Sequence, residues 1–121
     1  MNLKDKICVL LTVLFAFTAN SQYYKEKISV VLFKAEFVEQ ISLKDYRDHN
    51  TYVFDFENAK HENYFIDETI EFLPTIVLYN NGNEVYRVEA GITLKMPEDY
   101  KTKLKKEINK LIENKFRWKN Y

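Results

Sequence analysis

Residues 72–91 read FLPTIVLYNNGNEVYRVEAG, and this stretch decides most of the fold. Directly after Pro74, the β-branched, aliphatic and aromatic run Thr75–Tyr79 predicts a strand. Asn81-Gly82 is typical of a two-residue hairpin turn, because both residues tolerate a positive φ. Glu84–Ala90 has an alternating pattern, with Val85, Arg87 and Glu89 on the opposite side from Tyr86 and Val88, as in a half-buried strand. The stretch therefore predicts an antiparallel β-hairpin.

Two further strands are predicted upstream of the hairpin. Ile28–Phe33 reads ISVVLF and is apolar on both faces from Val30 onward, which is typical of a central buried strand. Tyr52–Phe56 reads YVFDF and predicts a second strand with Asp55 near its end. Before both, the polar and aromatic segment Tyr23–Lys27 is either a lead-in strand or a loose end.

Three segments have helical patterns. Ala35–Asp48 predicts a short helix, because apolar residues recur on one helical face. Lys60–Phe72 predicts a longer helix that ends before Pro74, since the residue before a proline avoids helical geometry. Pro97 suits the first turn of a last helix, in which lysines lie opposite an apolar face. The residues of that face are Tyr100, Leu104, Ile108, Leu111, Ile112 and Phe116.

The predicted order of elements is strand, helix, strand, helix, hairpin, helix (β-α-β-α-β-β-α). Strands that alternate with helices indicate a parallel pair joined by a crossover. The hairpin adds antiparallel strands to that pair. We therefore expect an α/β fold with a central mixed sheet and helices on both faces.

Three segments carry a resemblance to a known family. VLFKAEF at residues 31–37 runs from a strand into a predicted helix, and FLPTIVLY at residues 72–79 places a proline before a strand. The third segment combines a hairpin turn with a later glycine: Asn81, Gly82, Val85, Tyr86, Arg87 and Gly91. Together they resemble the thioredoxin family, with its V-D-F-W-A-x-W junction and its I-P-T segment with a cis proline. The resemblance covers residues 28–116 and implies a thioredoxin-like fold with four to five strands flanked by helices.

The chain departs from that family at the thiol site. Cys-x-x-Cys would follow Phe37, but the chain reads Val38-Glu39-Gln40-Ile41. The family's buried acid falls at Leu32 and its tryptophan at Lys34. Disulfide exchange needs one thiolate to attack and a second thiol to resolve the mixed disulfide. We therefore expect a redox-inactive domain with no catalytic residue.

Residues 1–21 have the pattern of a secretory signal peptide. Two lysines form a basic start, Ile7–Ala19 is almost wholly apolar, and Ala19-Asn20-Ser21 places small residues before a cut at Gln22. The apolar run is shorter than the roughly 20 residues of a membrane span. An uncleaved anchor is the alternative interpretation.

Cleavage would leave one exported domain, residues 22–121, that is periplasmic or secreted and has no stable membrane span. It would also remove Cys8, the single cysteine of the chain. The whole chain has 18 basic and 18 acidic residues. Because nucleic-acid binding needs a basic surface, we expect no nucleic-acid partner.

One loop cluster contains residue types that bind metals: Asp55, Glu57, His61 and Glu62. The sequence HENYF at residues 61–65 lacks the second histidine of the H-E-x-x-H motif. We therefore interpret the cluster as a polar loop, and we expect neither a metal nor a cofactor.

The resemblance implies a site for an extended peptide beside the proline, where the family receives substrate as an extra short strand. Its candidate residues here are Phe37, Val38, Glu39, Gln40, Ile41, Leu73, Pro74 and Thr75. The alternative is that Pro74 only shapes the start of a strand.

The expected function is thus that of an exported module that binds a peptide or protein. Two other functions stay open at this point. One is an auxiliary thioredoxin-family protein in thiol-disulfide redox homeostasis, and the other is a structural subunit of an envelope assembly.

Overall fold

The computed structural model describes residues 23–119 of the chain, with side chains up to Lys115. Four strands form one sheet: β1 (Ile28–Lys34), β2 (Asn50–Asp55), β3 (Thr75–Asn80) and β4 (Asn83–Glu89). The described helices are α1 (Glu62–Asp67) and α2 (Tyr100–Lys119), with short 3₁₀ turns at Tyr23–Lys25, Lys44–Tyr46 and Ala59–His61. This part of the chain is an α/β domain with a mixed sheet.

The sheet has the strand order β2-β1-β3-β4. β1 pairs in parallel with β2 and antiparallel with β3, and β4 pairs antiparallel with β3. β1 therefore lies inside the sheet, which explains why Val30–Phe33 is apolar on both faces and wholly buried. Asp55, predicted near the end of its strand, is the last residue of β2.

The hairpin predicted around Asn81-Gly82 is confirmed. Asn81 has a φ of 51° and Gly82 a φ of 90°, and a type I′ turn requires positive values at both positions. Gly82 adopts this backbone at no steric cost because it has no Cβ. The strands on either side pair from Asn80 and Asn83 to Thr75 and Glu89.

The strand pairing gives the sheet two different ends. The hairpin end contains Asn81-Gly82, and the N-terminal segment closes it further. Lys25 O accepts the Gly82 N–H at 2.8 Å, and Lys27 O accepts the Asn81 N–H at 2.9 Å. At the other end β1, β2 and β4 finish and β3 begins. We call this the open end, and it comprises residues 34–41, 55–58, 71–75 and 89–96.

A separate core covers each face of the sheet. On one face lies the helix-side cluster, which packs against α2: Ile28, Val30, Leu32, Leu43, Tyr46, Ile76, Leu78, Val88, Ala90, Met96, Leu104 and Ile108. On the other face lies the aromatic cluster, which includes α1 and the first 3₁₀ turn: Tyr24, Val31, Phe33, Phe54, Phe65, Val77 and Tyr79. The expectation that helices cover both faces is confirmed.

The helix predicted over Ala35–Asp48 is wrong. A turn follows β1, and a 3₁₀ turn at Lys44–Tyr46 replaces the rest. Polar side chains compete here with helical backbone hydrogen bonds. Gln40 Nε2 donates to a carbonyl of its own turn at 2.9 Å, and Ser42 Oγ accepts the Lys44 N–H at 3.3 Å. The crossover between β1 and β2 is therefore made without an α-helix.

The second predicted helix is shorter than its pattern indicated. Within Lys60–Phe72 only Glu62–Asp67 is α-helical, because Thr69 has a φ of 52° and ends the helix. The Thr69 N–H donates to Ile66 O at 3.1 Å, and the Ile70 N–H donates to Phe65 O at 3.0 Å. This is the Schellman pattern of helix termination.

Both ends of the described chain also differ from the sequence interpretation. Tyr23–Lys27 is neither a strand nor a loose end, since Tyr23–Lys25 forms a 3₁₀ turn that buries Tyr24. The described residues therefore form four strands and not five. The last helix begins at Tyr100, after Pro97 and not around it. The signal peptide predicted at residues 1–21 lies outside the described residues.

Candidate functional site

Both predicted parts of the peptide site lie at the open end of the sheet. Phe33 pairs with Thr75 across β1 and β3, so the turn after β1 and the segment before β3 leave the sheet side by side. Pro74 O also accepts the N–H of the residue after β4 at 2.9 Å. Strand register thus places residues 37–41 and 73–75 at the same end of the sheet.

The turn after β1 has one outward apolar side chain. Phe37 is 66% exposed, whereas Val38 is buried. Ile41 is half-buried and packs against the helix-side cluster. The Val38 N–H donates to Ala35 O at 3.4 Å and closes the turn. Phe37 is therefore the residue of this turn that offers apolar area to a partner.

The two polar residues of the turn are already engaged within the protein. Gln40 Nε2 donates to Val38 O at 2.9 Å, and Lys34 Nζ lies 3.4 Å from Gln40 Oε1. Glu39 Oε2 accepts the Met96 N–H at 3.2 Å. Both side chains are exposed, but their main role in the structure is to hold the open end together.

The segment before β3 is mostly buried. Pro74 and Thr75 have almost no exposed surface, and the Leu73–Pro74 peptide bond is cis. Thr75 Oγ1 donates to Phe72 O at 2.5 Å, so its hydroxyl has a partner. The side chains of Pro74 and Thr75 therefore have a structural role.

The backbone of Leu73 is the part of this segment that remains available. Its side chain is half-buried against the aromatic cluster. Within residues 23–119, neither its N–H nor its C=O forms a backbone hydrogen bond. Leu73 precedes β3, which is an inner strand, so these backbone groups lie at the end of the sheet, where an extended chain that pairs with them would gain main-chain hydrogen bonds.

Sequence reasoning missed most of the apolar surface at the open end. Phe56 after β2 is 60% exposed and Ile92 after β4 is 93% exposed, and Phe72 and Leu94 are also exposed. The sequence placed Phe56 at the end of a predicted strand and Phe72 at the end of a predicted helix, but β2 ends at Asp55 and the helix ends at Asp67. Ile92 and Leu94 lie outside every predicted element. Large apolar residues in loops were the available signal, but that signal does not reveal that they share one end of a sheet.

Leu94 also has an unusual backbone at this end. Its φ is 62°, a left-handed value that is uncommon for residues other than glycine. The Leu94 N–H donates to Gly91 O at 3.0 Å, which keeps the loop in a tight turn. The loop after β4 therefore has a defined shape that presents an apolar side chain to solvent.

Charged groups surround the exposed apolar residues. Glu57 Oε1 accepts the Glu36 N–H at 2.8 Å and links the loops after β1 and β2. Lys34 Nζ lies 3.7 Å from Asp55 Oδ1. These contacts hold the loops in place, and they leave carboxylates at the rim of the apolar surface.

A second cluster that the sequence did not indicate lies near the hairpin end. Glu68 is 7% exposed and accepts hydrogen bonds from the Tyr24 and Tyr79 hydroxyls, each at 2.7 Å. Lys25 Nζ lies 2.5 Å from Glu68 Oε1. Buried polar groups in native proteins are generally satisfied in this way. The cluster attaches the N-terminal 3₁₀ turn to β3, and we interpret it as structural.

The ionisation of this cluster follows from its contacts. Burial alone would raise the pKa of Glu68, but the hydrogen bonds from Lys25, Tyr24 and Tyr79 outweigh burial and place it below its ordinary value of 4.5. Burial, and then the hydrogen bond to Glu68, raises the pKa of both Tyr24 and Tyr79. Glu68 is therefore charged and the two tyrosines are neutral at neutral pH.

The polar loop that contains His61 also has a structural arrangement. His61 Nδ1 accepts the Asp55 N–H at 3.0 Å, and its ring lies 5.1 Å from that of Phe54. In the described part of the chain, no group of three or more potential ligands is arranged to hold a metal ion. The imidazole thus supports the end of β2.

A cleft of about 520 Å³ lies between residues 45–49 and α2. Asp45 and His49 line one wall, and Lys101 and Lys105 line the other. A volume of this size is in the range of ligand sites. No residue of the predicted peptide site lines this cleft, and most of its charged side chains are exposed.

No protein-family model matches this sequence, and no curated protein matches it. Among residues 23–119, no helix combines the length and apolar character that are needed to cross a bilayer. The class of protein defined by the described structure is a small α/β domain with a mixed four-stranded sheet and an apolar open end.

Proposed function

We propose that this protein is an exported, redox-inactive domain of the thioredoxin-like class that binds an extended segment of a partner protein. The antiparallel β3–β4 hairpin and the mixed four-stranded sheet support that class, because the resemblance includes the hairpin segment and implies four to five strands flanked by helices. The binding surface is the open end, with Phe37 on one side and Leu73–Thr75 on the other.

The observation that carries the proposal is the unpaired backbone of Leu73 among exposed apolar side chains. A bound strand gains affinity from main-chain hydrogen bonds and specificity from pockets or surfaces for alternate side chains. The Leu73 backbone provides groups for main-chain hydrogen bonds. The exposed rings of Phe37, Phe56 and Phe72 provide surfaces for alternate side chains. Apolar side chains exposed together in this way mark an interaction site.

The redox-inactive part of the proposal has two independent supports. Residues 22–121 contain no cysteine. In addition, the described segment between β1 and β2 contains no α-helix, so no helix N-terminus lies at residues 38–41 to lower the pKa of a thiol. Residues 38–41 therefore lack both the thiols and the helix N-terminus that would lower the pKa of one of them.

Export is the part of the proposal that rests on residues 1–21. The signal pattern predicts that the exported protein begins at Gln22 and has lost Cys8. Intact mass measurement of the protein from the culture medium or periplasm tests this directly. A mass that includes residues 1–21 would contradict cleavage.

Site-specific photo-crosslinking tests the binding surface. A photoreactive phenylalanine analogue at position 37 or 72 should form adducts with a protein of the envelope fraction. The matched control is position 85, because Val85 is also apolar and exposed but lies within β4, outside the open end. Adducts at 85 as frequent as those at 37 and 72, or none at 37 and 72, would contradict the proposed surface.

A disulfide-reduction assay tests the redox part. The exported protein should not accelerate insulin reduction by dithiothreitol. The Val38→Cys/Ile41→Cys variant should also remain inactive, because Val38 is buried and no helix end activates either thiol. Turnover by the unmodified protein would contradict the proposal, and turnover by the variant would contradict its structural reason.

A further inference from the structure

The exposed apolar residues are concentrated at the open end. The described part of the chain has nine exposed large hydrophobic residues. Five of them lie at the open end, which holds about a quarter of the described residues: Phe37, Phe56, Phe72, Ile92 and Leu94. Phe56 follows β2, Phe37 follows β1, Phe72 precedes β3, and Ile92 and Leu94 follow β4. Each strand therefore has at least one exposed large apolar residue beside it at this end of the sheet.

Charge is also unevenly distributed, although the whole chain is neutral. The open end contains two lysines and six carboxylates: Glu36, Glu39, Asp55, Glu57, Glu71 and Glu89. Residues 100–119 of α2 contain eight basic and two acidic residues. A cation is therefore attracted to the open end and repelled from α2, and such complementarity sets association rate and specificity.

Two of the six carboxylates are best placed to contact a ligand. The side chains of Glu36 and Glu71 are exposed, and neither forms an ion pair with another described residue. They flank Phe37 and Phe72 in sequence, on the two segments that leave the sheet side by side. Each glutamate is thus the neighbour in sequence of an exposed phenylalanine at the open end.

We propose that the partner segment is cationic as well as apolar. It is an extended protein segment in which lysine or arginine alternates with aromatic or large aliphatic residues, and it docks beside Leu73. This inference rests on the proposed function and adds the chemistry of the partner. In an extended chain successive side chains point to opposite sides, so one set contacts the phenylalanines while the other reaches Glu36 and Glu71.

A pair of synthetic peptides tests this chemistry. The first alternates lysine with phenylalanine and valine, has blocked termini, and is labelled for fluorescence anisotropy. The second is identical but has glutamate in place of lysine. The exported protein should bind the lysine peptide about tenfold more tightly, since two exposed charge pairs contribute modestly each. Raising the salt concentration from about 50 to about 300 mM should reduce this preference severalfold.

Two variants and their controls identify the groups responsible. Glu36→Gln/Glu71→Gln should remove most of the preference for lysine and leave binding of the glutamate peptide nearly unchanged. Phe37→Ser should weaken the binding of both peptides. The matched controls are Glu113→Gln on α2 and Val85→Ser on β4. These two variants should change neither the preference for the lysine peptide nor the affinity for either peptide. Equal affinity for the two peptides, or a lysine preference that survives Glu36→Gln/Glu71→Gln, would overturn the inference.

The outcomes separate this inference from the proposed function. If crosslinks form at positions 37 and 72 but the lysine peptide has no advantage, the binding surface stands and the cationic chemistry fails. If neither peptide binds and no crosslinks form, both fail. Salt-sensitive self-association that is abolished by Glu36→Gln/Glu71→Gln would identify a second copy as the occupant and would also overturn the inference.

Discussion

At the hairpin end of the sheet, buried polar groups are hydrogen-bonded within the protein. At the open end, in contrast, large apolar side chains are exposed to solvent. Glu68 has three donors near the hairpin end, and the turn at Asn81-Gly82 is closed by carbonyls of the N-terminal segment. At the open end Phe37 and Ile92 are largely exposed, and the Leu73 backbone is unpaired within the described chain.

This difference separates residues that stabilise the fold from residues that are available for contact. A buried carboxylate without partners would cost several kcal/mol, so its three donors are needed for folding. An exposed phenylalanine adds little to the free energy of unfolding. The largest effects on stability should therefore come from the hairpin end, and the largest effects on binding should come from the open end.

The largest stability effect is expected at Glu68. Glu68→Gln removes the charge that pairs with Lys25 and places an amide opposite two tyrosine hydroxyls. We expect the free energy of unfolding to fall by about 3 kcal/mol, because one partner of a buried pair is lost. Urea denaturation followed by circular dichroism measures this change. Glu71→Gln is the matched exposed control and should change it by less than about 0.5 kcal/mol, and equal effects of the two would remove the contrast between the ends.

The pH dependence of stability should have the same origin. The pKa of Glu68 in the folded protein lies below its ordinary value of 4.5. Its contribution is therefore complete above the pKa of the unfolded state and is lost as the pH falls through the folded value. Urea midpoints measured from neutral pH down through this range should fall for the wild type, and the gap to Glu68→Gln should narrow. If the difference between the urea midpoints of the wild type and Glu68→Gln stays constant with pH, another group causes the loss of stability at low pH.

A smaller effect, of opposite sign, is expected at Thr69. This β-branched residue occupies the left-handed C′ position of a Schellman motif, where glycine is preferred because it has no Cβ. Thr69→Gly should raise the free energy of unfolding by about 1 kcal/mol, measured as a higher urea midpoint. Thr93→Gly in the loop after β4 is a control, because Thr93 has no positive φ and should gain nothing. A loss of stability in Thr69→Gly would mean that its backbone is not strained.

The smallest stability effect is expected at the open end. Phe37→Ser and Phe56→Ser should change the free energy of unfolding by less than about 0.5 kcal/mol each, while Phe37→Ser should weaken peptide binding and reduce the crosslinks formed from position 72. Differential scanning calorimetry measures the stability part. A loss above about 2 kcal/mol would assign these rings to the core and would end their interpretation as a contact surface.

Strands were easier to predict from this sequence than helices. β1, β3 and β4 have apolar runs or alternation, and the Asn81-Gly82 turn fixes the register between two of them. The helix expected over residues 35–48 failed because side chains of Gln40 and Ser42 bond to the local backbone. The spacing of apolar residues does not indicate whether polar side chains will hydrogen-bond to the local backbone in place of a helix.

The sequence located the candidate residues in the chain but did not show which of them are exposed. Residues 37–41 and 73–75 were chosen by resemblance, and the register of β1 with β3 brings them to one end of the sheet. The sequence did not distinguish the exposed Phe37 from the buried Val38 and Thr75. It also did not indicate Phe56 and Ile92, because exposure in a loop depends on what packs around it.

The local chain chemistry was enough to specify the hairpin, the central strand and the lack of a thiol beyond Cys8, since these depend on residue types and their immediate neighbours. Folding in three dimensions was needed to pair Glu68 with a tyrosine that is 44 positions away, and to gather apolar loops at one sheet end. Contacts between distant segments depend on strand register and packing, and neither is encoded in any single stretch of sequence.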